Sequence, residues 1–220
     1  MRRALLTMLA IFLLYAAADV LRPLDRDLRQ FDPAAVARLE TRMWRSYYER
    51  RPLALFLELA EMLRTQSRFP VLRSYVGAYY GTLAAFAFKE GQQRADFEKA
   101  LPSLEAYFRL LRNTGNVDFD VRRAAALELE WWIVHRNRAG YPAGALGRAC
   151  AEASAYAYHV PVAATLAHGE LRAAAMLVRD QRADAGRLSE ADWTDIQALL
   201  QRSYQALQSA LSGAPGARLH

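Results

Sequence analysis

The chain has 220 residues, 53% of them hydrophobic, with 29 basic and 23 acidic residues for a formal charge of +6. The hydrophobic fraction excludes an intrinsically disordered protein, and the length suits one domain with a sizeable core. The basic residues, all arginine except Lys89 and Lys99, are spread among acids and form no stripe or recognisable module, so no nucleic-acid partner is expected.

Residues 1–21 read as a signal anchor or a signal peptide. Arg2 and Arg3 precede an apolar run from Ala4 to Ala18, the pattern of an export leader. Ala16 and Ala18 offer a small-residue cleavage site before Asp19, and a cut there would release a secreted or periplasmic domain. Continued to Leu21, the run has the minimum length of a spanning helix. Such a pattern of small residues is weak in an alanine-rich chain, so the anchor is preferred. Membrane contact would then run through residues 4–21, with Arg2 and Arg3 in the cytoplasm and the domain outside. A buried first helix of a soluble protein is the remaining alternative.

Residues 22–31 are polar and read as a linker, 32–212 as a single helical domain, and 213–220 as a flexible tail. Asp32-Pro33 is a helix start, with a capping carboxylate and a proline in the first turn. Further helices are expected from Pro52, from Pro70 to a stop at Gly91, and from about residue 93 with a restart at Pro102. Asp118 or Asp120 caps the next helix. The segment 140–142 breaks that helix, and Pro142 opens the one after it. Another follows Pro161, and Ser189 to Asp192 resembles a capping box. No stretch alternates with period two. The expected fold is therefore all-α, a multi-helix bundle of about eight helices behind the apolar segment. No tetratricopeptide pattern or fixed-offset repeat is visible.

Chemistry-bearing residues occur in three segments. Glu40 heads a row with Trp44 and Tyr48 beside an apolar stripe of Val36, Leu39, Met43 and Tyr47. Glu128 shares a face with Trp132 and His135. The helix around it is apolar on most sides, as a central helix is, so either Glu128 or Glu130 is expected to be buried and paired. His168, Arg172 and Arg179 lie near one face of a third segment, and Arg172 is the expected partner of Glu40 or Glu128. If Glu128 has a buried arginine partner, Glu128→Ala should cost about 2–4 kcal/mol. Glu40, Glu128, His135, His168 and Arg172 are thus the candidate site. The first four are also the only evident metal ligands, but the Glu-x-x-His spacing of di-metal bundles is absent, so no metal and no cofactor is expected. Cys150, the single cysteine, excludes an intramolecular disulfide and reads as a small core residue. Tyr75, Tyr79, Tyr80, Phe86 and Phe88 read as core packing or as an apolar groove.

The segments Glu40-x-x-Met-Trp-Arg-x-Tyr-Tyr, Leu127-Glu128-x-x-Trp-Trp and Leu171-Arg172-x-x-Ala-Met resemble a family of uncharacterised all-helical bacterial proteins. The resemblance spans roughly residues 30 to 210. It implies a helical domain of bacterial origin and carries no activity. With no nucleophile elbow, phosphate loop or metalloprotease motif, the first expectation is an interaction or scaffold module and not an enzyme, with a protein partner or a second copy. The rival is a ligand-binding or metal-dependent enzymatic bundle, in which the five candidate residues converge on a cavity.

Overall fold

A computed structural model describes residues 2–186 and 188–213, and all regular structure among them is helical. Helix α1 (Arg2–Leu21) is long and apolar enough to cross a membrane, and none of its residues is buried. Its last turn is tied to the body. Asp19 Oδ1 accepts from the Arg73 backbone N–H at 2.9 Å. The fully buried Arg73 guanidinium donates to Asp19 O at 2.8 Å, Arg22 O at 2.5 Å and Thr114 Oγ1 at 3.0 Å. Carbonyls at a helix C-terminus lack intrahelical partners and carry partial negative charge; an arginine satisfies both. The stretch 22–31, expected as a linker, lies along the body. Leu24 N–H and Arg26 N–H donate to Asn113 O and Thr114 O at 2.7 and 3.0 Å, and Arg29 donates to Tyr158 O at 3.0 Å.

Eight long helices follow: α2 (Pro33–Tyr48), α3 (Pro52–Thr65), α4 (Val71–Glu90), then, after the single turn α5 (Arg94–Phe97), α6 (Leu101–Gly115), α7 (Val121–Arg136), α8 (Ala145–Tyr158), α9 (Val162–Asp184) and α10 (Glu190–Gly213). The start signals act as expected at Asp32, whose side chain accepts from Ala34 N and Ala35 N, and at Asp120, which accepts from Arg123 N. At Ser189 the reciprocal cap forms: its Oγ accepts from Asp192 N at 3.2 Å while Asp192 Oδ2 accepts from Ser189 N at 2.8 Å. Pro142 does not open α8. A 3-10 turn at Arg138–Gly140 and a left-handed Gly144 (φ +82°) delay the helix to Ala145. Gly213 belongs to α10; the remainder of the expected tail lies outside the described residues.

The arrangement is a closed ring. Each of these eight helices packs on the next, and α10 returns to α2. Short connections make such neighbours antiparallel. Among the described residues the apolar core is accordingly divided into five clusters between adjacent helices, for example Leu59, Leu63, Phe69 and Leu110 joining α3, α4 and α6, and Ala37, Trp193, Ile196 and Leu200 joining α2 to α10. The tightest seam is α8 on α9. A Cβ at Gly169 would collide with Gly147 O and the Ala151 backbone, so only glycine permits that approach. Tyr75 and Tyr79, expected either as core packing or as an apolar groove, are exposed, and with Val71 and Leu83 they form an apolar stripe along α4. Phe88 is buried.

Candidate ligand cavity

A ring of eight helices encloses more space than its side chains fill. The centre holds a cavity of about 370 Å³, to which every one of the eight long helices contributes lining residues. Small-molecule sites span about 300–1,000 Å³. All five candidate residues, Glu40, Glu128, His135, His168 and Arg172, line it, although they come from only three helices: α2, α7 and α9.

One wall joins α2, α9 and α10. Glu40, 3% exposed, receives Arg172 Nη2 at 2.5 Å, the Trp44 indole N–H at 3.2 Å and the Tyr204 hydroxyl at 2.5 Å. Arg172 Nη1 also donates to Tyr204 Oη at 2.9 Å, and its guanidinium lies over Trp131, 5.0 Å from the ring centroid. Burial opposes the charge on Arg172, but Glu40 more than offsets it and the guanidinium stays ionised. Burial, with Glu40 beside it, holds the Tyr204 hydroxyl well above the ordinary phenol range, so it remains a donor.

The facing wall, on α7, differs. Glu128 Oε1 accepts from the Trp132 indole N–H at 3.1 Å. The Trp131 indole adds a weaker hydrogen bond, and among the described residues Glu128 has no ion pair. Burial pushes its carboxyl pKa up, and the more distant Arg172 pulls it down only in part. Of the alternatives expected, Arg172 pairs with Glu40 and not with Glu128. The condition for the expected cost of Glu128→Ala, a buried arginine partner, is therefore not met. Glu130, on the outer side of α7, is the paired one: Arg94 reaches it at 2.8 Å.

His168, 2% exposed, is held through Nδ1 by Ser203, whose carbonyl and Oγ lie at 3.1 and 2.8 Å; the same Oγ donates to His168 O at 2.8 Å. Because the hydroxyl proton is committed to that carbonyl, this network assigns the ring proton to Nδ1 and leaves Nε2 an acceptor. Burial pulls the His168 pKa down to about 3, so the ring is neutral. His135 lies about 10 Å further along α7 from Glu128, by helix rise. Its Nε2 faces Asp180 Oδ2 at 3.0 Å, and Asp180 also takes Arg138 at 2.7 Å and Arg179 at 3.0 Å. Burial opposes the Asp180 charge; the His135 and Arg179 hydrogen bonds and the Arg138 charge outweigh it and hold the pKa low. At this end cations back the aromatic lining, with Arg179 3.2 Å from the Tyr48 centroid and Lys89 Nζ 4.1 Å from that of Tyr47. Burial, reinforced by Arg50, Arg179 and Arg136, pulls the Lys89 pKa down to about 8.

Tyr204, Ser203 and Asp180 were not anticipated as members of the site. No motif surrounds them, and only closure of α9 and α10 onto α2 and α7 brings them in. The four conceivable metal ligands share the cavity but do not gather: among the described residues no three His, Cys, Asp or Glu side chains are grouped as a metal ion requires. Cys150 is buried among Leu146, Ala173 and Met176 and borders the cavity. The chain matches no family model, and no curated protein or solved structure is similar to it.

Proposed function

We propose that the chain is a membrane-tethered domain that binds a small organic molecule in the centre of its helical ring. The observation that carries this reading is the convergence of Glu40, Glu128, His168 and Arg172 on one aromatic-lined cavity. Convergence of this kind was the feature expected to separate a ligand-binding bundle from a plain scaffold. Filling the ring with leucines would serve a scaffold better, since buried ion pairs add little stability over apolar packing. Tethering rests on α1, apolar and unburied along its length, with two arginines at its start that favour a cytoplasmic N-terminus and a ring on the other side.

The test is native mass spectrometry of the full chain purified in maltoside, beside a Ser154→Trp variant that fills the cavity. The wild type should carry, or take up from a set of small aromatic probes, a ligand that the variant excludes at unchanged helical content. Equal uptake by both, or none by the wild type, would overturn the reading.

An interaction role has separate support in the exposed stripe Val71, Tyr75, Tyr79 and Leu83 of α4, and Leu53 and Leu57 of α3 are exposed as well. Light scattering on a Tyr79→Glu, Leu83→Glu variant tests it: a drop in oligomeric mass is expected, and an unchanged monomer would remove that role for a second copy.

A further inference from the structure

Three formally charged side chains line the cavity: Glu40, Glu128 and Arg172. Glu40 and Arg172 neutralise each other at 2.5 Å. His168 is neutral, and His135 is directed to Asp180 outside the lining. One carboxylate, Glu128, remains without a counter-ion. Its donors are neutral indoles, Trp132 at 3.1 Å and the neighbouring Trp131, and a carboxylate facing an enclosed cavity without a cation is a costly thing to maintain. Beside it stand the rings of Trp131, Trp132 and Tyr107. Aromatic faces attract cations through the ring quadrupole, tryptophan most strongly. This molecule already uses that device around the cavity, placing for example Arg172 over Trp131, Arg179 over Tyr48 and Lys89 over Tyr47.

We propose that the cavity receives an organic monocation with an apolar body, its charge seated against Glu128 and the indole of Trp132. The inference rests on the ligand-binding reading above and gives it a chemical class. The bound cation supplies the charge that Arg172 cannot, being held by Glu40 and Tyr204. The cations behind Tyr47 and Tyr48 set the orientation: they repel a positive head at the His135 end and leave that end to the apolar body. An anionic ligand meets the opposite conditions, with two carboxylates in the lining and the one arginine already engaged.

The experiment uses the full chain in a maltoside micelle, which is uncharged. Trp44, Trp131 and Trp132 line the cavity while Trp193 lies in the α2–α10 seam, so intrinsic fluorescence reports occupancy. Three probes of similar size are titrated: benzyltrimethylammonium, its neutral carbon isostere neopentylbenzene, and benzenesulfonate. The cation should bind at least about tenfold more tightly than the isostere, and Glu128→Gln should erase that preference while leaving the isostere unaffected. The wild-type comparison stands alone even if the variant does not fold. Equal binding of cation and isostere, retained preference in the variant, or preference for the sulfonate would overturn the monocation assignment and leave the cavity reading intact. No binding of any probe would overturn both.

Discussion

The two carboxylates of the cavity sit in the same local motif and have opposite fates. Glu40 and Glu128 each accept an indole N–H from the tryptophan four residues on, at 3.2 and 3.1 Å. Glu40 then acquires Arg172 and Tyr204 across the α2–α9–α10 wall, whereas Glu128 acquires only the neighbouring Trp131 indole and, among the described residues, no ion pair. A buried charge that is fully partnered holds helices in register. One that is left half-partnered has been kept at a cost to stability, and function is the ordinary reason for such a cost. The difference between the walls, more than the cavity itself, points to where a ligand would bind.

Breaking the partnered wall should have the largest effect. Arg172→Met leaves Glu40 buried without a countercharge, and a loss of about 3–5 kcal/mol in urea denaturation is expected. A loss below about 1 kcal/mol would mean that Glu40 does not depend on its countercharge, and the contrast between the walls would disappear. Tyr204→Phe removes one donor to Glu40 and one acceptor from Arg172 while both ions keep each other. The expected loss is smaller, about 1–2 kcal/mol, measured the same way. Glu128→Gln keeps the shape and an acceptor for the Trp132 indole but discards the buried charge. Near neutral pH it should leave stability within about 0.5 kcal/mol of the wild type or raise it. A clear loss would reveal a cationic partner for Glu128 and make the two walls alike.

The sequence carries the local half of this contrast. Both Glu-x-x-x-Trp rows, the apolar surroundings of α7 and the pairing of Arg172 with either Glu40 or Glu128 are legible from helical periodicity, as are most helix starts, because caps and prolines act over a few residues. Which carboxylate wins the arginine is not legible. That depends on the ring closing α10 onto α2, which also delivers Tyr204 over a separation of 164 residues. The role of Asp180 is hidden for the same reason: His135 meets it 45 residues away. Pro142 misled because proline marks a helix start only when the backbone ahead of it is free to turn, and here Gly144 takes that role.

The pH dependence of stability separates the walls most finely. Native Glu128 has a pKa above its unfolded value, whose ordinary reference is 4.5, because burial disfavours its charge. Its contribution is therefore fully present below the unfolded pKa and is lost as pH rises through the folded pKa. Asp180 behaves oppositely. Its folded pKa is depressed below the reference of 3.8, so its contribution is present above that value and is lost as pH falls through the folded one. Wild-type stability is thus eroded by Asp180 on the acid side and by Glu128 above about pH 4.5. Glu128→Gln removes only the second loss. The stability of the variant minus that of the wild type should rise from pH 4.5 upward and then level off. The height of the plateau relative to its acid value reports how far the carboxyl was shifted, at about 1.4 kcal/mol per pH unit. A difference that stays flat across this range would show Glu128 to be unperturbed and solvated, and the unpartnered wall would lose its claim to a ligand. Repeating the titration with benzyltrimethylammonium bound should diminish the wild-type loss above about pH 4.5, because a cation beside Glu128 removes the penalty on its charge.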